Sequence, residues 1–206
     1  LLAKKDGEEV LKKQHKVRTK LEKIQHSRAA SAPPGVRINN SVTIVDVIAF
    51  LNLSRADGHV GEVDEETVYQ TLSEEWGFPY RKIDPLKLDL ELVTNTIPRS
   101  FAMNYLTLPI AVENNALIVA TPDPFNTEVL GDIQRAAQMK VQPVVSTKSD
   151  IIRTINEFFG FKKSIAAAET QFAAPSVDLG NLEQYVRMDA DGELPSNDSH
   201  IINAVN

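Results

Sequence analysis

Four histidines, His15, His26, His59 and His200, are the side chains best suited to metal ligation or proton transfer near neutral pH. They lie far apart, and no two have the i, i+4 spacing that lets a helix hold a metal. Each reads as a surface residue. The acidic turn from Asp57 to Glu66 offers oxygen ligands for calcium. Its order lacks the alternating D-x-D-x-D-G pattern by which one loop supplies several of them, so a solvated acidic face is expected. Cys is 0, which removes thiolate nucleophiles, zinc fingers, iron–sulfur sites and a disulfide scaffold. The phosphate-cradling loop G-x-x-x-x-G-K-[ST] is missing from the sequence, as are G-x-G-x-x-G and G-x-S-x-G. No catalytic, cofactor-binding or metal-binding residue is therefore assigned.

The remaining chemistry is charge. Residues 1–30 hold nine Lys/Arg against four Asp/Glu, a net of +5. The whole chain carries −6, so the other residues carry −11. A chain this acidic is a poor general binder of nucleic acid. The basic residues Lys12, Lys13, Lys16, Lys20 and Lys23 recur along one segment and are the best exposed docking candidates. Such a face can also rest on anionic lipid.

The elements follow from periodicity. A 42% hydrophobic share with 24% charged residues fits a globular chain, against a disordered or fibrous one. No apolar run reaches the roughly 18–20 residues that span a bilayer. Residues 4–29 read as a helix, with Val10, Gln14, Val17, Leu21 and Ile24 at seam spacing. That seam suits either a coiled-coil arm or a helix lying on the rest of the protein. Ser31-Ala32-Pro33-Pro34-Gly35 marks a linker over 31–41. A small helical unit is expected over 42–83: one helix from Ile44, Val47, Ile48 and Leu51, capped by Ser41 or Thr43, then a second opened by Asp64. Val68, Leu72 and Trp76 form its apolar stripe, and Gly77 ends it.

Residues 84–160 read as a compact α/β unit. Short helices follow Pro85 and Pro98, the second with Phe101, Ala102 and Tyr105 inward. A strand over 106–112 turns at Glu113-Asn114-Asn115 into a return strand over 116–120. Asn126 or Thr127 caps a helix to Gln138, and Val141–Val145 is a third strand. A final helix, capped by Ser146 or Thr147, buries Ile151, Ile152, Ile155, Phe158 and Phe159. Residues 161–196 read as an acidic, extended linker with room for one short helix near Leu179–Val186. Residues 197–206 return to helical spacing with Ile201, Ile202 and Val205. The chain starts at Leu1 rather than Met and stops within that pattern, so a longer parent chain is expected. The fold class is α+β: an N-terminal helix and a small helical unit, then an α/β unit with a three-stranded sheet and packed helices.

An ordered set of short motifs now acquires meaning. Gly77-Phe78-Pro79-Tyr80 is followed by Ile97-Pro98, Leu108-Pro109-Ile110 and Leu117-Ile118-Val119-Ala120-Thr121-Pro122-Asp123-Pro124. Val144-Val145-Ser146-Thr147, Asp150-Ile151 and Phe158-Phe159-Gly160 complete it. This order resembles the N-terminal domain of the ATPases of type II secretion and type IV pilus assembly. The L-x-V-A-x-x-D-P run, at Leu117–Pro124, is its most specific feature. Ser196–Asn206 is similar to the opening helix of that family's ATPase region, over 197–206.

The resemblance implies a docking and regulatory module that is not itself an enzyme. It would fasten a cytosolic motor to the cytoplasmic domain of an inner-membrane platform protein, placing the chain at the cytoplasmic face of a bacterial inner membrane. ATP and Mg would belong to the missing motor, and the parent to a hexameric ring. Docking residues are expected among Lys12, Lys16, Lys20, Ile48, Leu51, Leu72 and Trp76, the apolar ones doubling as core.

Some members of this family bind cyclic di-GMP through the helical unit, on a repeated pattern that begins R-L-G. Here Gly58-His59-Val60 and Val68–Leu72 partly follow the later half of that pattern. Thr43-Ile44-Val45 stands where R-L-G would, without the Arg and Gly a phosphate needs. A cyclic di-GMP sensor is the alternative reading.

Overall fold

The computed structural model describes residues 1–30, 41–58 and 60–173. It divides into two units, Leu1–Ser164 and Ile165–Asn206. Among the described residues, the elements run in the order α1 (Lys4–Ala30), α2 (Ile44–Phe50), α3 (Glu65–Trp76), a 3-10 turn at Pro85–Lys87, α4 (Leu90–Thr96), α5 (Arg99–Tyr105), β1 (Leu108–Glu113), β2 (Ala116–Thr121), α6 (Thr127–Ala137), β3 (Lys140–Val145) and α7 (Lys148–Ala173). The arrangement is α+β, as the sequence predicts. Linker residues 31–40, His59 and the segments expected over 174–196 and 197–206, with His200, lie outside the described residues.

The sheet has the order β1-β2-β3. β1 and β2 are antiparallel, joined through Asn114 and Asn115, whose φ of 49° and 60° put both in the left-handed conformation such a turn demands. β2 and β3 are parallel, and α6 makes the crossover. Central β2, Ala-Leu-Ile-Val-Ala-Thr, is buried along nearly its whole length, as an uninterrupted apolar run requires. Pro109 and Pro143 sit on the two outer strands, where a missing donor is tolerated. The main core joins β2 to Val93, Ile97, Met103, Ile133, Ile151 and Ile155 from the surrounding helices.

The helical part has two smaller cores. Val10 and Val17 of α1 meet Val42 and Val47, with Leu21, Leu51 and Leu53 at the margin. Val45, Val63, Val68 and Tyr69 form the other, with Leu72 and Trp76 packed on it. Ile48 touches both clusters. The seam of α1 is thus used within the chain, against α2, and Arg18 fixes the crossing by donating to the Val42 carbonyl at 3.2 and 2.7 Å. Segment 79–81 lies along the outer edge of β3: Arg81 N–H donates to the Val145 carbonyl at 2.8 Å, and Val145 N–H to Pro79 at 2.9 Å.

Several local expectations change. Ile44 is 40% exposed while its neighbour Val45 is buried. Seven-residue α2 packs between α1 and α3, so a single i, i+3, i+4 stripe does not describe it. Tyr105 is 49% exposed rather than inward. Leu106 takes φ 50° as the left-handed cap of α5, which delays the strand to Leu108. Helix α7 continues past Gly160 to Ala173, where an extended linker is predicted. The caps at Thr43, Asp64, Gly77 (φ 71°) and Asn126 stand where the sequence puts them.

Candidate functional site

A cleft of about 330 Å³ opens beside the carboxyl end of β2. Its walls are the amino end of α2, Tyr69 of α3, the end of α5 with Thr107, the Thr121-Pro122-Asp123 turn, the amino end of α6 and Lys148. In open α/β sheets the carboxyl ends of parallel strands form such crevices.

Each wall has a local cause. Thr43 and Asp46 make a capping box at the start of α2: Thr43 N–H donates to Asp46 Oδ2 at 2.6 Å, and Asp46 N–H to Thr43 Oγ1 at 3.3 Å. The Thr43 hydroxyl donates to the same Oδ2 at 2.8 Å. Lys148 then reaches from the first turn of α7 and donates to Asp46 Oδ2 at 2.9 Å and to the Ser41 carbonyl at 2.8 Å. Its side chain is only 4% exposed. A lysine at a helix amino end opposes the macrodipole, so the Asp46 carboxylate supplies what the helix does not. Glu65 of α3 completes the junction by accepting from Ser149 N–H at 3.1 Å.

Tyr69 is buried here. Burial first, then the nearby Glu65, Asp46 and Asp123 carboxylates, push its phenol well above the ordinary tyrosine range. It stays neutral and acts as a donor or an apolar wall. Thr107 is buried with no hydrogen-bond partner for Oγ1. Among the described residues, Lys148 is the one cation lining the cleft, and it is already paired, while Asp123 adds a carboxylate. The described lining is mostly polar and carries one lysine and one aspartate.

The residues singled out from the sequence fall into two groups. Ile48, Leu51, Leu72 and Trp76 are half-buried members of the helical cores, with Trp76 meeting Phe125 edge-on at 5.5 Å between ring centroids. Lys12, Lys16 and Lys20 are exposed on α1, and the Lys20 ammonium sits 5.0 Å from the Phe50 ring centroid. The two groups do not form one site. Sequence reading missed Lys148 and Asp46. The signal available was the local conflict of a lysine opening a helix. Among the described residues, no cluster of His, Cys, Asp and Glu is placed to hold a metal. No described helix is long and apolar enough to cross a membrane.

With the geometry in hand, comparison with known proteins locates the resemblance. Residues 76–165 match the MshEN domain, nearly the stretch Gly77–Gly160 that carries the ordered motifs. The chain is 23% identical over 137 residues to the type IV pilus assembly ATPase TfpB of Acinetobacter baylyi, covering 66% of this chain and 23% of that one. It is 26% identical over 103 residues to the bacteriophage adsorption protein B of Escherichia coli, covering 50% of this chain and 14% of that one. The chain thus spans about a quarter or less of these relatives. Among solved structures, MshE with cdg aligns at TM-score 0.43 and 15% identity, over 58% of this chain and 80% of that one. The N-terminal domain of XpsE aligns at TM-score 0.39 and 16% identity, over 76% and 97%. Residues 76–165 thus resemble an MshEN domain, and the proteins similar to the chain include type IV pilus assembly ATPases.

Proposed function

We propose that this chain is the N-terminal docking and regulatory part of a type II secretion or type IV pilus motor ATPase. It would fasten the motor to the cytoplasmic domain of an inner-membrane platform protein, on the cytoplasmic side, with the parent assembled as a hexamer. The observation that carries this reading is the MshEN match together with a pilus-ATPase relative of which the chain spans only 23%. On this reading the chain does no catalysis. ATP and Mg belong to the motor, and the α/β unit is a rigid base on which the helical part is presented. The test is a calorimetric titration of the chain with the purified cytoplasmic domain of its cognate platform protein. Saturable binding is expected, and silence across the soluble concentration range would sink the reading.

A second reading is a cyclic di-GMP sensor. It draws on the cleft, where the amino ends of α6 and α7 and Lys148 meet. The Asp46 and Asp123 carboxylates weigh against it. Titration with cyclic di-GMP separates the two: heat that saturates would move the function from docking to sensing.

A further inference from the structure

Helix α1 carries a lysine stripe, of which the docking reading draws on Lys12, Lys16 and Lys20 alone. At about 100° per residue, Lys5, Lys12, Lys13, Lys16, Lys20 and Lys23 fall within a sector of about 100°. All six are exposed. The stripe is about 27 Å long and is turned about 120° from the Val10–Val17–Leu21 seam that packs on α2. The helix is therefore fastened along one edge and offers its lysines along another. Glu9 is the one acid within the sector, and it pairs with Lys13.

We propose that this stripe lays the domain on the surface of a bilayer rich in anionic lipid. Three features favour a membrane over the other polyanions. Every cation in the sector is a lysine. An ammonium is a compact, hydrated point charge that responds to a field, whereas paired phosphate contacts of nucleic acid favour the arginine fork. The helix's central arginine, Arg18, is turned to the Val42 carbonyl instead. The sector also holds no aromatic or aliphatic anchor of the kind that dominates a protein interface. Finally, a straight row on a fixed helix meets a plane all at once. Among the described residues outside α1, exposed acids such as Glu62, Glu74 and Asp89 are repelled by that plane and oppose any pose that turns them towards it. The stripe shares Lys12, Lys16 and Lys20 with the expected docking residues, and vesicles free of any partner protein test the lipid contact by itself.

The experiment is co-sedimentation of the full chain with vesicles of phosphatidylcholine alone or mixed with phosphatidylglycerol. Each lysine near an anionic surface strengthens binding on the order of fivefold. Binding is expected only with phosphatidylglycerol. It should fade between about 0.01 M and 1 M salt, as the screening length falls from about 30 Å to 3 Å. Lys12→Gln with Lys16→Gln should weaken it roughly 25-fold. Lys12→Arg with Lys16→Arg should preserve it, as should Lys87→Gln with Lys140→Gln on exposed sites elsewhere. Equal binding to neutral vesicles, no binding at low salt, or indifference to the Lys12/Lys16 pair would each overturn the proposal. So would stronger retention by duplex DNA than by the anionic vesicles, which would reassign the stripe to nucleic acid.

Discussion

The sheet-centred core and the helical part are held by different physics. Around β2, burial is apolar on both faces, and Leu117, Val119, Ile151 and Ile155 are 1% exposed or less. In the helical part the apolar clusters are smaller and rich in valine, and a polar hub closes the gap between them: Asp46 gathers Thr43 and Lys148. Dispersion and transfer from water are non-directional, so the first region tolerates small shifts. The second depends on a few hydrogen bonds and a buried cation, and it fails when one partner goes.

That contrast can be broken by substitution. The largest loss is expected for Ile155→Ala, about 2–5 kcal/mol, because its site cannot collapse around a cavity in a fully buried wall. Urea denaturation reads it as an earlier midpoint with an unchanged slope. Asp46→Ala should cost about 3 kcal/mol, near the low end for a broken buried pair because the carboxylate is partly exposed. Hydrogen exchange should then find α1–α3 amides less protected while β2 keeps its protection. Equal loss in both regions would dissolve the distinction. Gly77→Ala forces a side chain into φ 71° and should cost about 1–2 kcal/mol, since nothing crowds a Cβ there and the backbone alone carries the penalty.

Asp64→Ala is the smallest change, about 1 kcal/mol for a lost N-cap. It also has a pH signature. Hydrogen bonds from Thr67, side chain first and then backbone, hold the Asp64 carboxyl below its ordinary 3.8. A depressed folded-state pKa gives stability that is present above 3.8 and lost as pH falls through the lower folded value. Melting curves of wild type and variant should therefore differ at neutral pH and converge in acid. A gap that stays constant down through that window would mean the carboxylate is not what caps α3.

The two regions also differ in how far their sequences disclose them. The α/β unit announces itself because its signals are local: a continuous apolar strand, an Asn-Asn turn, a Pro-Asp-Pro break and an Asn cap. The helical part is less legible. Val45 rather than Ile44 is buried because two helices flank α2, and tertiary packing overrides a one-sided stripe. The far end of α7 escaped because Ala166, Ala167 and Ala168 favour a helix by propensity while presenting no apolar stripe to detect. The candidate cleft was the least legible. Its hub joins Asp46 to Lys148 across 102 residues, and a single sequence carries no mark of such a pairing beyond a lysine misplaced against its own helix.

Val145 joins the two regions. It ends a strand of the sheet, yet its side chain belongs to the helical cluster, and its N–H and C=O are both bonded to segment 79–81. Tension applied to the helical part along the strand direction would load these two bonds together, in shear, rather than peel them one at a time. A joint of that kind transmits force while the domains on either side keep their shape. If the chain fastens a motor as proposed, this short seam lies on the load path.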